Sequence, residues 1–193
     1  MTNIAIFASG SGSNFEAIAS ACINGEINAN VALLVCNKPQ AYVIQRAKRL
    51  DVPVFICKHQ DYPTRSDHEK RIITELAAAK VKFVALAGYG RLFSNTFICA
   101  YNGKIINIHP ALLPAFPGLD SIAAAFNSGV NKTGVTVHYC DEGMDTGPII
   151  AQREVPILPD DTLETLEARV HQTEHELYVE VLKSLFNEME NSK

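Results

Sequence analysis

Three polar side chains in the second half of the chain are of the types that acyl transfer requires. Asn107 and His109 lie two residues apart in a short apolar run, and Asp145 lies further along between two glycines. Residues two apart on a strand point to the same face, so the amide and the imidazole would face one ligand together. A carboxamide and a protonated imidazole can stabilise the oxyanion of a tetrahedral intermediate, and a carboxylate can set the imidazole tautomer.

Each of these residues also has a plainer interpretation. An Asn-x-His pair is compatible with a capped turn and a hydrogen-bonded core histidine, and an Asp between glycines is typical of a turn. Nothing in the spacing alone brings His109 and Asp145 into contact. Both interpretations therefore stay open on these residues alone.

A second candidate is the segment Ser9–Asn14, which reads Ser-Gly-Ser-Gly-Ser-Asn and stands between an apolar run and a helical pattern. Glycines let the backbone turn tightly, and free N–H groups at a helix N-terminus favour an anion, most often phosphate. Phe15 stands where a dinucleotide fingerprint needs its third glycine, and the Gly-Lys-Ser/Thr ending of a P-loop is absent. A tight turn with an Asn cap is the alternative.

The elements that would position these residues are short apolar runs alternating with helical patterns. Runs rich in Val and Ile predict five buried strands, at residues 3–8, 31–36, 52–57, 81–87 and 104–108. A helix is expected at residues 15–24, and Ser66 and Glu69 have capping-box spacing at the start of another. This alternation is typical of a doubly wound, largely parallel α/β sheet.

The second half of the chain predicts a different end to the fold. Residues 134–140 and 148–157 read as two strands joined by the loop that holds Asp145. Apolar residues at spacings of three, four and seven predict one long helix at 162–188, with Asp161 as its N-cap. We therefore expect an α/β, Rossmann-like, doubly wound and mostly parallel sheet with a C-terminal antiparallel extension and a long final helix, in one domain of residues 1–193.

Composition limits the class of protein and of ligand. The 193 residues are 47% hydrophobic and carry a net charge of −4, which favours one folded domain and disfavours nucleic acid as a partner. No apolar stretch approaches a membrane span and the N-terminus does not read as a signal peptide, so we expect a cytoplasmic protein without membrane contact. The five cysteines form no C-x-x-C pair, which predicts neither disulfides nor a metal site but small buried hydrophobes: Cys22, Cys36, Cys57, Cys99 and Cys140.

Four segments, taken together and in order, resemble the phosphoribosylglycinamide formyltransferases of the folate-dependent formyltransferase superfamily: Ser9–Asn14, Ala87–Leu92, Asn107–Gly118 and His138–Pro148. The resemblance covers nearly the whole chain. It implies transfer of a formyl group from 10-formyltetrahydrofolate, a co-substrate, to the amine of 5-phosphoribosylglycinamide in purine (IMP) biosynthesis, without a metal. It also implies a phosphate-binding half at about 1–100, a catalytic and folate-binding half at about 101–193, and a monomer or homodimer.

The resemblance assigns roles to single residues. Asn107 and His109 would polarise the formyl group and stabilise the oxyanion, and Asp145 would hold His109. Glu174 on the final helix would contact the ribonucleotide, although a lone Glu on a helix usually faces water. The substrate phosphate would bind Gly12, Ser13 and Asn14. Folate would contact, besides Asn107 and Asp145, the following residues: Arg65, Gly90, Arg91, Leu92, Phe93, Asp141, Glu142, Gly143 and Met144.

Other proteins share parts of this pattern. Formyltetrahydrofolate hydrolase uses a similar triad on water, and methionyl-tRNA formyltransferase acts on tRNA, but each normally carries an extra domain that does not fit in 193 residues. A non-enzymatic phosphate-binding sensor on a Rossmann-like sheet would explain the Ser9–Asn14 segment and leave the three acyl-transfer residues without a reason. The sequence departs from the family at Gly90, where Met is usual, which would remove apolar cover from the folate.

Overall fold

The computed structural model describes residues 1–191, which form seven strands and six α-helices. The strands are β1 (Thr2–Phe7), β2 (Ala29–Cys36), β3 (Val54–Ile56), β4 (Phe83–Leu86), β5 (Ile105–His109), β6 (Lys132–Tyr139) and β7 (Ile149–Pro156). The helices are α1 (Ser13–Ile23), α2 (Val43–Arg49), α3 (Arg65–Ala78), α4 (Asn95–Ala100), α5 (Ser121–Ser128) and α6 (Leu163–Asn191), and a short 3-10 turn spans His59–Asp61. All the predicted strands and the long final helix are confirmed, with ends shifted by a few residues.

The seven strands form one sheet in the order β3-β2-β1-β4-β5-β6-β7. Strands β1 to β5 run parallel, whereas β6 is antiparallel to both β5 and β7. This confirms the Rossmann-like sheet with its antiparallel extension. Strands β2 and β4 lie on opposite sides of β1, so the direction in which strands are added to the sheet reverses between β1 and β4. Ligands of open α/β sheets bind at the carboxyl ends of the strands beside such a reversal.

Two apolar layers cover the sheet. Helices α1 and α6 pack on one face, and α3 and α4 pack on the other, where aromatic rings fill much of the space. Side chains alternate along a strand, so in β5 the pair Ile106 and Ile108 enters the α6 layer and Ile105 enters the opposite layer. Asn107 and His109 therefore point away from α6.

The predicted start of α3 is wrong by two residues. The helix is capped by Thr64 rather than Ser66, and the Thr64 hydroxyl oxygen accepts a hydrogen bond from the Asp67 amide at 3.1 Å. Thr-x-x-Asp supplies a competing cap just upstream. Because Glu69 takes no part in the cap, its side chain can point into the protein, and Glu69 is 2% exposed.

The predicted N-cap of α6 is also wrong. Thr162, immediately before the helix, accepts a hydrogen bond from the Thr165 amide at 3.2 Å. The Asp161 carboxylate instead accepts two bonds from the Arg169 guanidinium, at 2.7 and 2.8 Å. A bidentate charge-assisted pair outcompetes a single cap bond for this carboxylate.

The expectation of buried cysteines holds for three of the five. Cys22, Cys36 and Cys57 are buried, whereas Cys140 is partly exposed and Cys99 lies on the exposed side of α4. The prediction that Cys99 is buried is therefore wrong, because a helix as short as α4 buries only one narrow side. All five thiols are free.

Tyr178 ties the final helix to the centre of the sheet. Its side chain is fully buried, and its hydroxyl lies 3.0 Å from the Leu86 carbonyl oxygen and 3.2 Å from the Ile106 carbonyl oxygen. The donor from α6 thus reaches β4 and β5 at the carboxyl edge, one residue before Asn107. Burial strongly raises the pKa of Tyr178, so the hydroxyl keeps its proton.

We predict that Tyr178→Phe lowers the free energy of unfolding by about 1–2 kcal/mol, because a buried hydrogen-bond donor to the sheet is lost. Urea denaturation monitored by circular dichroism measures the change. Tyr42→Phe is the matched control, because Tyr42 is 45% exposed. Equal stability of the two variants would contradict the role of the Tyr178 hydroxyl.

Candidate active site

The candidate catalytic residues gather where β5 ends. His109 is the last residue of β5 and Asn107 precedes it by two, so both side chains lie on one face as predicted. The loops after β1 and β4 reach the same edge of the sheet. Ser9 connects these two loops, since its hydroxyl oxygen accepts a hydrogen bond from the Gly90 amide at 3.1 Å and its amide donates to the Gly88 carbonyl at 2.9 Å.

The structure brings His109 and Asp145 together. The Nδ1 atom of His109 lies 3.4 Å from Oδ2 of Asp145, and the two side chains are only 5% and 11% exposed. The other ring nitrogen, Nε2, lies 2.8 Å from the carbonyl oxygen of Phe116, so Nε2 carries a hydrogen and donates. A ring that is protonated at both nitrogens would donate to both acceptors.

Asp145 is surrounded by donors. The Asn107 amide nitrogen lies 3.4 Å from Oδ1, and the Gly118 amide donates to Oδ2 at 2.9 Å. Burial by itself would raise the pKa of Asp145, but the neighbouring imidazole of His138, the hydrogen bond from the Gly118 amide and the nearby His109 together lower it below the ordinary value. The carboxylate is therefore ionised at neutral pH.

The loop of Asp145 is shaped by two glycines. A Cβ on Gly147 would lie 1.8 Å from the Tyr139 carbonyl oxygen, and one on Gly143 would lie 2.0 Å from the Thr146 hydroxyl oxygen. Asp145 itself has a left-handed backbone, with φ at 55°, which Asp tolerates better than most residues. The plain interpretation of Asp145 as a turn residue is thus correct for its backbone, while its side chain serves the cluster.

His138 is a site residue that sequence reasoning missed. It pairs with Asn107 across β5 and β6, is 2% exposed, and its Nε2 lies 3.6 Å from Oδ1 of Asp145. Its Nδ1 lies 2.8 Å from the Tyr139 carbonyl oxygen, so the hydrogen of the neutral ring is on Nδ1 and Nε2 can accept from Asn107, 3.4 Å away. In the sequence, His138 could have been noticed as the first residue of the segment His138–Pro148, which carries part of the family resemblance. Its pairing with Asn107 is visible only from the strand register.

The segment predicted to bind an anion forms a turn that leads into α1. Gly12 precedes α1 with φ at +77°, and a Cβ there would lie 2.3 Å from Val43. The amides of Ser13 and Asn14 donate to no acceptor among residues 1–191. Free first-turn amides behind such a glycine are suited to an anion. The Asn cap of the alternative interpretation is not formed, and Oδ1 of Asn14 is buried without a partner in the described chain.

Glu174 is buried on α6 and does not face water, as a lone Glu on a helix usually does. It is 4% exposed, and its carboxylate lies 2.6 Å from Nδ1 of His171. The hydrogen bond to Glu174 raises the pKa of His171. His175, one residue beyond Glu174, is another missed group, and burial lowers its pKa. Its Nε2 has no partner in residues 1–191.

Arg65 turns toward the loop after β4. Its guanidinium donates to the Leu92 carbonyl at 2.6 Å and to the Glu69 carboxylate at 3.0 Å. Glu69 also accepts from the amide of Ser94 at 2.8 Å and from the Ser94 hydroxyl. A buried carboxylate thus holds the segment that contains Gly90, Arg91, Leu92 and Phe93.

The remaining residues assigned to folate differ in exposure. Leu92 and Met144 are about half exposed, at 50% and 49%, and a Cβ on Gly90 would meet nothing within 4 Å. Phe93 is buried, with its ring stacked 5.5 Å from that of Tyr89, so its side chain belongs to the core. Asp141 closes its own loop by accepting from the Gly143 amide and the Thr146 hydroxyl, and Glu142 and Gly143 are exposed.

Residues 1–191 contain no group of three or more His, Cys, Asp or Glu side chains that could hold a metal ion. Within the same residues, no helix is at once long and apolar enough to cross a membrane.

The chain is similar to known proteins over most of its length. A family model described as formyl transferase matches residues 2–182. The chain is 52% identical to phosphoribosylglycinamide formyltransferase of Bacillus subtilis (strain 168), over 96% of this chain and 95% of that protein. Glycinamide ribonucleotide transformylase 1 from Geobacillus kaustophilus is 56% identical with a TM-score of 0.94, over 96% and 99% of the two chains. Phosphoribosylglycinamide formyltransferase from Bacillus halodurans is 48% identical with a TM-score of 0.93, over 95% of each. The chain therefore belongs to the formyl transferase family.

Proposed function

We propose that this protein transfers the formyl group of 10-formyltetrahydrofolate to the amine of 5-phosphoribosylglycinamide in purine biosynthesis. The observation that carries the proposal is the convergence of Asn107, His109 and Asp145 at one sheet edge, beside a helix N-terminus with free amides. The names of the relatives support the same reaction. A phosphate sensor would need the free amides but not a carboxylate held between two histidines.

In the proposed reaction the substrate amine attacks the formyl carbon, and the new C–N bond places negative charge on the formyl oxygen. N–H groups of Asn107 and His109 stabilise this oxyanion, and Asp145 balances the charge of a protonated His109. Collapse of the intermediate breaks the bond between the formyl carbon and N10 of the folate. The proton lost by the amine is transferred to N10, so the products are a formamide and tetrahydrofolate.

The Phe116 carbonyl marks where the formyl oxygen would bind. It accepts from Nε2 of His109 at 2.8 Å, and a formyl oxygen is the same kind of acceptor. We infer that the donor substrate exchanges with this carbonyl. Phe116 lies in an exposed loop with φ at +50°, a sparsely populated conformation for a residue with a side chain.

The two substrates would lie on opposite sides of this cluster. The amides of Ser13 and Asn14 would bind the phosphate of the acceptor, and the buried Glu174 carboxylate would bind its amine or its hydroxyl groups. The exposed apolar side chains of Leu92 and Met144 would cover the folate ring. Arg65, together with the main chain of residues 90–93 and 141–144, would contact the rest of the folate.

We predict that purified protein consumes 10-formyltetrahydrofolate only when 5-phosphoribosylglycinamide is present, with no added metal or nucleotide triphosphate. Absorbance of the released tetrahydrofolate and chromatography of the formylated product measure the reaction. Consumption of folate at the same rate without the acceptor would instead indicate a formyltetrahydrofolate hydrolase.

Asp145→Asn should lower kcat by roughly 10²–10⁴-fold while the protein stays folded, because the amide cannot balance a protonated imidazole. Circular dichroism checks folding and steady-state kinetics give kcat. Asp51→Asn is the matched control, because Asp51 is exposed and has nearly the same backbone conformation, with φ at 53°. Wild-type kcat in Asp145→Asn would remove this carboxylate from the mechanism.

Gly12→Ala should raise the KM for 5-phosphoribosylglycinamide by about tenfold or more, equivalent to about 1.4 kcal/mol of lost binding, because the new Cβ pushes against Val43 and displaces the loop. Gly25→Ala serves as control, since Gly25 has the same φ of +77° but open space around it. An unchanged KM in Gly12→Ala would argue against phosphate binding at this loop.

A further inference from the structure

A row of three side chains crosses the sheet from the candidate site to its edge. His109 in β5 lies opposite Thr136 in β6, and Thr136 lies opposite Gln152 in β7. Directly opposed residues share a face, so all three point away from α6. Thr136 is fully buried and has no part in the reaction proposed above.

The Thr136 hydroxyl uses its full hydrogen-bonding capacity on the loop that follows β5. It donates to the Ala111 carbonyl at 2.6 Å and accepts from the Leu113 amide at 3.1 Å. Its second acceptor position takes a hydrogen from Nε2 of Gln152 at 2.9 Å. A hydroxyl has one donor and two acceptor sites, so none is left for a ligand.

Gln152 and Gly134 complete the attachment of the loop. The Gln152 amide group donates a second bond, to the Leu113 carbonyl at 2.9 Å. The Leu112 side chain packs onto Gly134, where a Cβ would come within 2.5 Å of it. Three consecutive residues, Ala111 to Leu113, are thus bound to β6 and β7.

The loop beyond this attachment carries contacts of both His109 and Asp145. Phe116 supplies the carbonyl on Nε2 of His109, and Gly118 supplies the amide on Asp145. Most of residues 114–120 are exposed, so the buried attachment at Ala111–Leu113 is what sets the position of this part of the loop. A shift of about 1 Å in a catalytic group can cost about 10²-fold in rate.

We propose that Thr136 and Gln152 are positioning residues for formyl transfer, because they anchor the loop that orients His109 and Asp145. This inference rests on the function proposed above. Neither side chain touches substrate in it. The anchor acts on the geometry of the reacting cluster and not on the affinity for either substrate.

The test compares Thr136→Val, Thr136→Ser and Gln152→Leu in the full chain. Thr133→Val is the matched control, because Thr133 lies in the same strand, is 2% exposed, and its hydroxyl has no hydrogen-bond partner in residues 1–191. We expect Thr136→Val to lower kcat by about tenfold or more, with both KM values within about threefold of wild type. Thr136→Ser keeps the hydroxyl and should retain at least about half of the wild-type kcat.

Gln152→Leu should lower kcat in the same direction by a smaller factor, and because Gln152 is exposed this variant is expected to fold. Hydrogen exchange at the Leu113 amide should become about tenfold faster or more in Thr136→Val and stay unchanged in Thr133→Val. The ring ¹⁵N resonances of His109 should also shift in Thr136→Val, as its Nε2 loses a fixed acceptor.

Two results would overturn the proposal. One is a kcat in Thr136→Val equal to that of Thr133→Val, and the other is faster exchange at Leu113 with no change in kcat or in the His109 resonances. A wrong proposed function would give a different result from a wrong anchor: the wild-type protein itself would not formylate 5-phosphoribosylglycinamide. The exchange and ¹⁵N measurements would still report whether the anchor holds His109.

Discussion

One largely enclosed negative charge, the Asp145 carboxylate with 11% of its side chain exposed, governs how this sheet edge is built. An uncompensated charge in the interior is costly, so donors must surround it. Two donors come from separate parts of the chain, Asn107 from β5 and Gly118 from the loop that follows it, and the imidazoles of His109 and His138 lie beside the carboxylate. The antiparallel pairing of β5 with β6 is therefore more than an extension of the sheet, since it sets Asn107 opposite His138 and holds both beside Asp145.

The two halves of the sheet contribute different chemistry. The parallel half ends in a helix N-terminus whose Ser13 and Asn14 amides are free, and this geometry suits an anion without any basic side chain. The titratable groups lie where β5 meets the antiparallel part: His109 ends β5, His138 is in β6, and Asp145 is in the loop between β6 and β7. Because the strand order reverses between β1 and β4, the anion loop and the loop after β4 lie together, and Ser9 joins them by hydrogen bonds. A net charge of −4 is thus compatible with a phosphorylated substrate.

Much of this was predictable from the sequence, because buried strands and long amphipathic helices have strong periodic patterns. The roles of residues that depend on partners distant in the sequence could not be predicted in this way. Asp161 and Glu69 looked like helix caps and instead pair with Arg169 and Ser94, since a cap pattern does not show which stronger partner lies nearby. His138 escaped notice because its contact with Asp145 depends on strand register, which a single sequence does not reveal.

Tyr178 gives the long final helix a fixed reference point. An α-helix rises 1.5 Å per residue, so the Cα of Glu174 lies about one turn, about 6 Å, along α6 from the Cα of Tyr178, whose hydroxyl contacts the Ile106 carbonyl next to Asn107. Sliding α6 by a single turn would put Glu174 where Tyr178 now lies and break both bonds to the sheet. The stretch of α6 between Glu174 and Tyr178 therefore fixes how far the Glu174 carboxylate lies from the cluster of Asn107, His109 and Asp145.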